Sequence, residues 1–226
     1  MHTYINKLEH DGFAVVPGLL DERSVNRLIA WMARADTGYG KRNVLTDFKG
    51  VRAVARNRQI RSLVESVLGC DAFAVRGLFF DKTPAANWTV DWHQDRTIAV
   101  RERLNVPGFT LWTMKAGVPH VQPPVTILEQ MLTLRLHIDD SDESSGPLRV
   151  IPGSHRAGFI REDKIDDWVR QHAPTACLVP RGGAVLMRPL LLHASSKATH
   201  PTHRRVLHLE FAALSLPNGL EWAFKV

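Results

Sequence analysis

Apolar residues recur at helical spacing in the first third of the chain and alternate with polar ones from Ala72 onward, so the pattern changes character once. The apolar run Gly12–Leu20 carries Pro17-Gly18 and predicts a short strand and turn. Asp21 then stands where a helix needs a side-chain cap. Glu22–Ala35 follows with Val25, Leu28, Ile29 and Met32 on one stripe. A second helix is expected over Asn57–Leu68, with Ile60, Leu63, Val64 and Val67 on its apolar face and Gly69 as its stop.

Beyond Ala72, short runs with period-two alternation lie between Gly, Pro, Asp and Ser. They predict strands near Ala72–Asp81, Asn87–Asp95, Met131–Asp139, Leu148–Ile151, Ala176–Val179, Ala184–Met187, Leu191–Ala194 and Arg204–Leu214. A mainly β fold with flanking α-helices, closed as a jelly-roll barrel of the cupin-like kind, accommodates that count. One more helix is expected over Arg161–His172. The proline- and glycine-punctuated stretch Val100–Gln130 predicts a long loop lying over the barrel as a lid.

Composition narrows the class. A chain of 226 residues that is 44% apolar forms one substantial core, so residues 1–226 are expected to be a single domain. Residues 1–70 would supply a strand and supporting helices, and residues 71–226 the β core with its lid at about 100–130. The net charge of +6 is spread along the chain, not gathered in an arm or block, which argues against nucleic acid as the partner. Cys70 and Cys177 stand in apolar surroundings without CxxC spacing and are expected to be buried thiols in a reducing compartment. The first residues lack the order of a secretory signal, and the longest apolar run, Ala184–Ala194, is broken by Arg188 and Pro189. A cytoplasmic protein with no membrane partner is the expectation.

The chemistry concentrates in Asn87–Asp95. On a strand, His93 and Asp95 share a face, and His193 lies at the end of another predicted strand. Two imidazoles and one carboxylate on one side of a metal leave open positions for a co-substrate and oxygen, the facial arrangement of non-haem iron. Arg204, eleven residues after His193, opens the last strand and can hold a carboxylate in bidentate fashion. A keto-acid co-substrate needs such an anchor, and the Ser195 hydroxyl can add a hydrogen bond to the same carboxylate. A zinc-type hydrolase and a non-catalytic small-molecule-binding barrel are the rival readings of the three ligands, and neither uses Arg204 well.

Gly12-Phe-Ala-Val-Val-Pro-Gly-Leu-Leu20, His93-Gln-Asp95, the run from Gly146-Pro147 to Ser154-His155, Gly183-Ala-Val-Leu, Leu192-His193-Ala-Ser and Arg204-Arg205 resemble the phytanoyl-CoA dioxygenase family over nearly the whole chain. The resemblance implies a double-stranded β-helix, Fe(II) on His93, Asp95 and His193, and 2-oxoglutarate on Arg204. It also implies O2-dependent oxidation of a small-molecule metabolite, by default hydroxylation at an unactivated carbon, with desaturation or ring rearrangement open. Asp95 argues against a halogenase, because related halogenases carry a small residue there. The connection Ser196–His203 departs from the family's commoner Gly-Pro-Asn-containing one, which affects the surroundings of Ser195. His155 falls in turn punctuation and is left out of the site.

Alternation then assigns faces. In Met131–Asp139, Leu132, Leu134, Leu136 and Ile138 form one side, and Thr133, Arg135, His137 and Asp139 the other. In the last strand Leu207, Leu209 and Phe211 oppose Arg204, Val206, His208 and Glu210. The leucine faces should pack outward onto the N-terminal helices, which turns Arg135 and His137 into the barrel as candidate substrate contacts. Trp112, Lys115 and His120 of the lid are the remaining candidates, a mixture suited to a polar or partly anionic small molecule.

Overall fold

The computed structural model describes residues 2–34 and 38–226. Helix α1 (His2–Asp11) leads into strand β1 (Phe13–Val16) through Gly12, and α2 (Glu22–Ala33) follows. The side chain of Asp21 accepts from the Ser24 amide at 2.8 Å, the cap expected from its position. Ala35, the last residue of the predicted helix, lies outside the described residues. Strand β2 (Gly40–Lys41) precedes α3 (Val44–Asp47), α4 (Lys49–Ala55) and α5 (Arg58–Leu68), the last capped by Asn57 and closed at Gly69.

The β region begins with β3 (Phe73–Lys82), β4 (Val90–His93) and β5 (Ile98–Ala99). The next elements are β6 (Thr110–Lys115), β7 (Val118–Gln122) and α6 (Val125–Glu129). Then come β8 (Met131–His137), β9 (Leu148–Val150) and α7 (Ile165–Gln171), and the chain closes with β10 (Thr175–Cys177), β11 (Ala184–Met187), β12 (His193–Ser195) and β13 (Arg204–Ala212). Strands pair antiparallel in a six-stranded sheet ordered β1-β11-β8-β13-β3-β2 and a four-stranded sheet ordered β10-β9-β12-β4. These two sheets face each other as a jelly roll, the mainly β fold expected.

Three expectations are corrected. Val100–Gln130 is not a bare loop: β6 and β7 form a hairpin that pairs with β5 in a third sheet, and α6 follows. The hairpin escapes the alternation pattern because β6 is mostly exposed on both faces, so nothing apolar marks its period. Of the two cysteines only Cys177 is buried; Cys70 is exposed, since it follows the C-cap Gly69 in a surface turn. The helix expected over Arg161–His172 contracts to a 3-10 turn at Glu162–Lys164 and α7.

Burial follows the predicted faces. Leu132, Leu134, Leu136 and Ile138 join Leu207, Leu209 and Phe211 in one outer cluster with Val25 and Leu28 of α2 and Ile60 and Leu63 of α5. Gly77 of β3 permits the closest approach: a Cβ there would stand 2.9 Å from Cγ of Leu45, so α3 presses directly on the sheet. Inside the barrel, Val185 and Met187 pack on Leu148, Val150, Cys177 and Leu191 as an apolar floor. The inward alternation of β8 stops at His137. Asp139 instead turns to Arg205, accepting from its Nε at 2.9 Å and its Nη2 at 2.7 Å, so the Arg205 guanidinium lies outside the cavity. Among the described residues no helix is long and apolar enough to cross a membrane.

Leu134 and Leu136 are fully buried between sheet and helices. Leu134→Ala and Leu136→Ala should each lower unfolding stability by about 2–5 kcal/mol, against about 1 kcal/mol for loss of the cap in Asp21→Ala. Equilibrium denaturation of the three variants reads the ranking directly.

Candidate metal centre and active site

Strand pairing assembles the centre. In the β12–β4 ladder His193 stands directly opposite His93, their ring centroids 4.2 Å apart, and Asp95 follows just beyond the end of β4. One ligand atom from each of His93, Asp95 and His193 lies within 4.8 Å of the other two. Nδ1 of His93 lies 2.7 Å from the Asp91 carbonyl and Nδ1 of His193 lies 2.8 Å from that of Leu191. A carbonyl only accepts, so both Nδ1 atoms carry the proton and both Nε2 lone pairs are free, the tautomer a metal ligand requires. Nε2 of His193 is 3.7 Å from Asp95 Oδ2, and that oxygen is buried without a hydrogen bond. A divalent cation among the three would satisfy all of these atoms at once.

Gln94, between His93 and Asp95, ties this segment to its neighbours. Its amide nitrogen donates to the carbonyls of Gly158 (2.8 Å) and Leu190 (2.7 Å), and its oxygen accepts from the Ile160 amide at 2.9 Å. The Asp95 amide donates to Pro189 O at 2.9 Å. Ser154 does the same for the third ligand: its hydroxyl oxygen accepts from the Leu192 amide at 2.8 Å, one residue before His193. Gly146 lies where a Cβ would stand 2.4 Å from Ser196 O, so the Gly146–His155 stretch is a brace for β12. His155 itself packs toward Glu9 O at 3.2 Å, away from the metal ligands, as expected.

A cavity of about 390 Å³ opens over the triad. Arg204, Ser195, Arg135 and Lys115 of the expected site line it, together with His93, Asp95 and His193. His137 does not; it is fully buried beside Val206 on β13, and both its ring nitrogens lack partners. Burial, then the Arg135 and Arg204 charges, holds it well below the usual histidine range, so it is neutral. Two lid candidates also fall outside the cavity. His120 is buried on β7 with Nδ1 donating to Val118 O at 3.0 Å. Trp112 packs on the cluster of Val106 and Phe109, with the Arg103 guanidinium 5.7 Å from its ring centroid. Hairpin register decides these placements, and an expected loop carries no register.

The distal end of the cavity is strongly cationic. Arg204 is 4% exposed, and its Nε and Nη1 atoms have no partner. Burial and the Arg135 charge push its guanidinium down to about 10, so it stays protonated. Lys82, its cross-strand neighbour on β3, donates to Ser195 Oγ at 3.2 Å and to the Ser196 carbonyl. Burial, then Arg204 and Arg135, pushes the Lys82 ammonium down to about 7. Sequence reasoning missed Lys82 because the expected strand stopped at Asp81. Its parity with Arg76, Leu78 and Phe80 carries the signal that would have found it.

A buried relay crosses three strands beside the triad. Arg135 Nη1 donates to His208 Nδ1 at 3.0 Å, His208 Nε2 donates to Glu210 Oε1 at 3.2 Å, and Arg76 Nη1 donates to the same oxygen at 2.9 Å. Burial raises the Asp95 carboxyl, but the His193, His208 and His93 rings and Arg76 outweigh it and hold Asp95 below the usual carboxylate range. Burial, with His93 beside it, pushes the His193 imidazole down to about 3. The triad therefore offers an ionised carboxylate and a neutral His193, the charge state that binds a metal.

Solved structures share this architecture. AviO1 from Streptomyces viridochromogenes Tue57 superposes with a TM-score of 0.70 at 20% identity, covering 96% of each chain. EctD from S. alaskensis, solved with 2-oxoglutarate and 5-hydroxyectoine, gives 0.72 at 17% identity over 94% of this chain and 76% of its own. The epimerase SnoN from nogalamycin biosynthesis, in complex with Fe3+, alpha ketoglutarate and nogalamycin RO, gives 0.70 at 14% identity over 93% and 82%. No curated protein sequence matches the chain. The family model for phytanoyl-CoA dioxygenase matches residues 8–206 of the 226, and the chain belongs to that family.

Proposed function

We propose that the protein is an Fe(II)- and 2-oxoglutarate-dependent dioxygenase that hydroxylates a small-molecule metabolite at an unactivated carbon, consuming O2 and releasing succinate and CO2. One observation carries the reading: the His93, Asp95 and His193 cluster, able to hold a metal, shares its cavity with Arg204, a buried guanidinium whose free N–H groups meet no carboxylate. An unpaired buried charge costs several kcal/mol, so the cavity is built to receive an anion beside the metal. A hydrolase on the same ligands has no need of that anion. A barrel that merely binds has no need of the metal.

In this reading His93, Asp95 and His193 would hold Fe(II), with both imidazoles oriented by the carbonyls of Asp91 and Leu191. Arg204, whose Nε and Nη1 lack partners, would hold the distal carboxylate of 2-oxoglutarate, with Ser195 and Lys82 flanking it. Iron with its co-substrate supplies the oxidising power for inserting one oxygen atom into a carbon–hydrogen bond. The protein orients the target carbon and excludes water. Arg135 and Lys115 face the remaining space as substrate contacts, whereas Trp112, His120 and His137 do not line it. Asp95 keeps its carboxylate on the metal, which favours hydroxylation over halogenation. The single domain works in the reducing cytoplasm, where a free Cys70 and Cys177 are stable.

His93→Ala, Asp95→Ala and His193→Ala should each abolish Fe(II) binding and substrate-coupled succinate formation while leaving the melting transition cooperative. Full activity in any one of them contradicts the ligand set.

Arg204→Ala should raise the 2-oxoglutarate requirement at least about tenfold, the effect of losing roughly 1.4 kcal/mol of charge-assisted binding. Arg205→Ala, which frees Asp139 outside the cavity, should lower the melting temperature with no such change. Oxoglutarate titrations of both variants separate the two roles.

Because Lys82 loses its proton near pH 7 in the free protein, an anion beside it binds with proton uptake above that pH. Oxoglutarate affinity should therefore fall as pH rises above about 7, and Lys82→Met should flatten the slope while weakening binding at lower pH. A wild-type profile already flat across this range removes Lys82 from the anchor.

A further inference from the structure

The cavity holds far more positive charge than one metal and one keto acid require. Arg42, Arg76, Arg96, Lys115, Arg135 and Arg204 line it, and Lys82 touches its wall at Ser195. Against these seven cations stand two carboxylates, Asp95 on the wall and Glu210 behind Arg76. Fe(II) would add two positive charges and 2-oxoglutarate two negative ones, so an excess of four survives both even when Lys82 is neutral.

The charges fall into two groups along the cavity wall. Lys82 and Arg204 feel each other and Arg135, the co-substrate end. Arg76 lies six residues along β3 from Lys82, roughly 20 Å of extended chain, and Arg42 and Lys115 are carried by segments that Asn43 fastens together, so these three line the cavity as a second group. No carboxylate among the described residues pairs with Arg42 or Lys115; Lys115 Nζ donates only to Thr97 Oγ1, at 3.1 Å. Glu210 offsets one of the three charges, which leaves about two unbalanced at this end.

This second group is held in place by design of the backbone. Asn43 Nδ2 donates to Ala116 O at 3.0 Å, which fastens the segment carrying Arg42 to the turn that follows Lys115. Asn43 and Ala116 both have positive φ, 59° and 49°, a conformation that costs a non-glycine residue energy and persists where the surroundings impose it. Arg76 is fixed from below by Glu210.

We propose that Arg42, Arg76 and Lys115 bind a dianionic head group of the primary substrate, a phosphate monoester, and so hold its carbon chain across the metal centre. The assignment rests on the oxygenase reading and deepens it. A phosphate monoester carries about −1.5 to −2 at neutral pH, which matches the two unbalanced charges, and its three oxygens suit a guanidinium fork beside an ammonium donor. Leu78 and Phe80, on β3 between Arg76 and Lys82, offer an apolar surface for the body of such a molecule.

The test uses the full protein with Ni(II) in place of Fe(II) and saturating 2-oxoglutarate, titrated by calorimetry with phenyl phosphate and with phenol as its neutral counterpart. Phenyl phosphate is expected to bind at least about tenfold tighter than phenol without displacing 2-oxoglutarate. The double variant Arg42→Gln/Lys115→Met should lose that preference while keeping its oxoglutarate affinity within about twofold and its wild-type melting temperature. Equal binding of the two probes overturns the proposal, as does a double variant that loses oxoglutarate to the same extent, which would assign these cations to the co-substrate. Displacement of oxoglutarate by phenyl phosphate also overturns it. If the wild type with Ni(II) binds no oxoglutarate, the oxygenase reading fails first and takes this assignment with it.

Discussion

A buried carboxylate oxygen facing two imidazole lone pairs is costly in a protein interior, and the surrounding architecture holds that arrangement together. The β12–β4 register sets His193 against His93, and a slip of one residue would turn His93 to the other side of the sheet. Carbonyls of Asp91 and Leu191 fix the tautomers, Gln94 pins the segment between the ligands, and Ser154 holds the backbone just before His193. Each of these contacts satisfies a buried polar group while withholding any partner from the three atoms that face inward. The open valence at the centre is thus a product of how completely its neighbours are satisfied.

The second constraint is charge. Arg204, Arg135 and Lys82 are all buried on the inner face of the larger sheet, with the outer face occupied by leucines packed on α2 and α5. That sheet must keep its polar face dry and occupied, because its cations have few carboxylates of their own. Outside the cavity the pattern is ordinary: Arg205 has Asp139, and His203 has Asp81 at 2.8 Å. Arg204, buried in the cavity with no carboxylate partner, contrasts with Arg205 and helps to locate the ligand site.

Much of this was legible in the sequence, for physical reasons. Clean alternation in Met131–His137 and Arg204–Ala212 reports a sheet with one face on helices and one face inside, so the inward direction of Arg135 and Arg204 followed from parity alone. His93-x-Asp95 works for the same reason. Legibility failed where periodicity is weak or length is short. Helices α1, α3 and α4 went unread, because four to ten residues carry too few turns to show a stripe. The β6–β7 hairpin went unread because its exposed faces impose no apolar pattern, and the placements of Trp112 and His120 failed with it. His137 was rightly turned inward yet lies behind the wall, since parity gives direction and not depth. Arg42 is invisible as a cavity residue because only the tertiary fold brings its segment there, whereas Arg76 shares the legible parity of Leu78, Phe80 and Lys82.

On the proposed function, one cavity binds Fe(II) through His93, Asp95 and His193 and 2-oxoglutarate through Arg204 together. Anaerobic spectroscopic titration tests it most directly. Adding Fe(II) and then 2-oxoglutarate to the purified protein should produce a visible charge-transfer absorption that saturates near one equivalent of each and requires both. Absence of that absorption in a protein that holds Fe(II), or its full persistence in the Arg204→Ala variant at the same oxoglutarate concentration, would contradict the account.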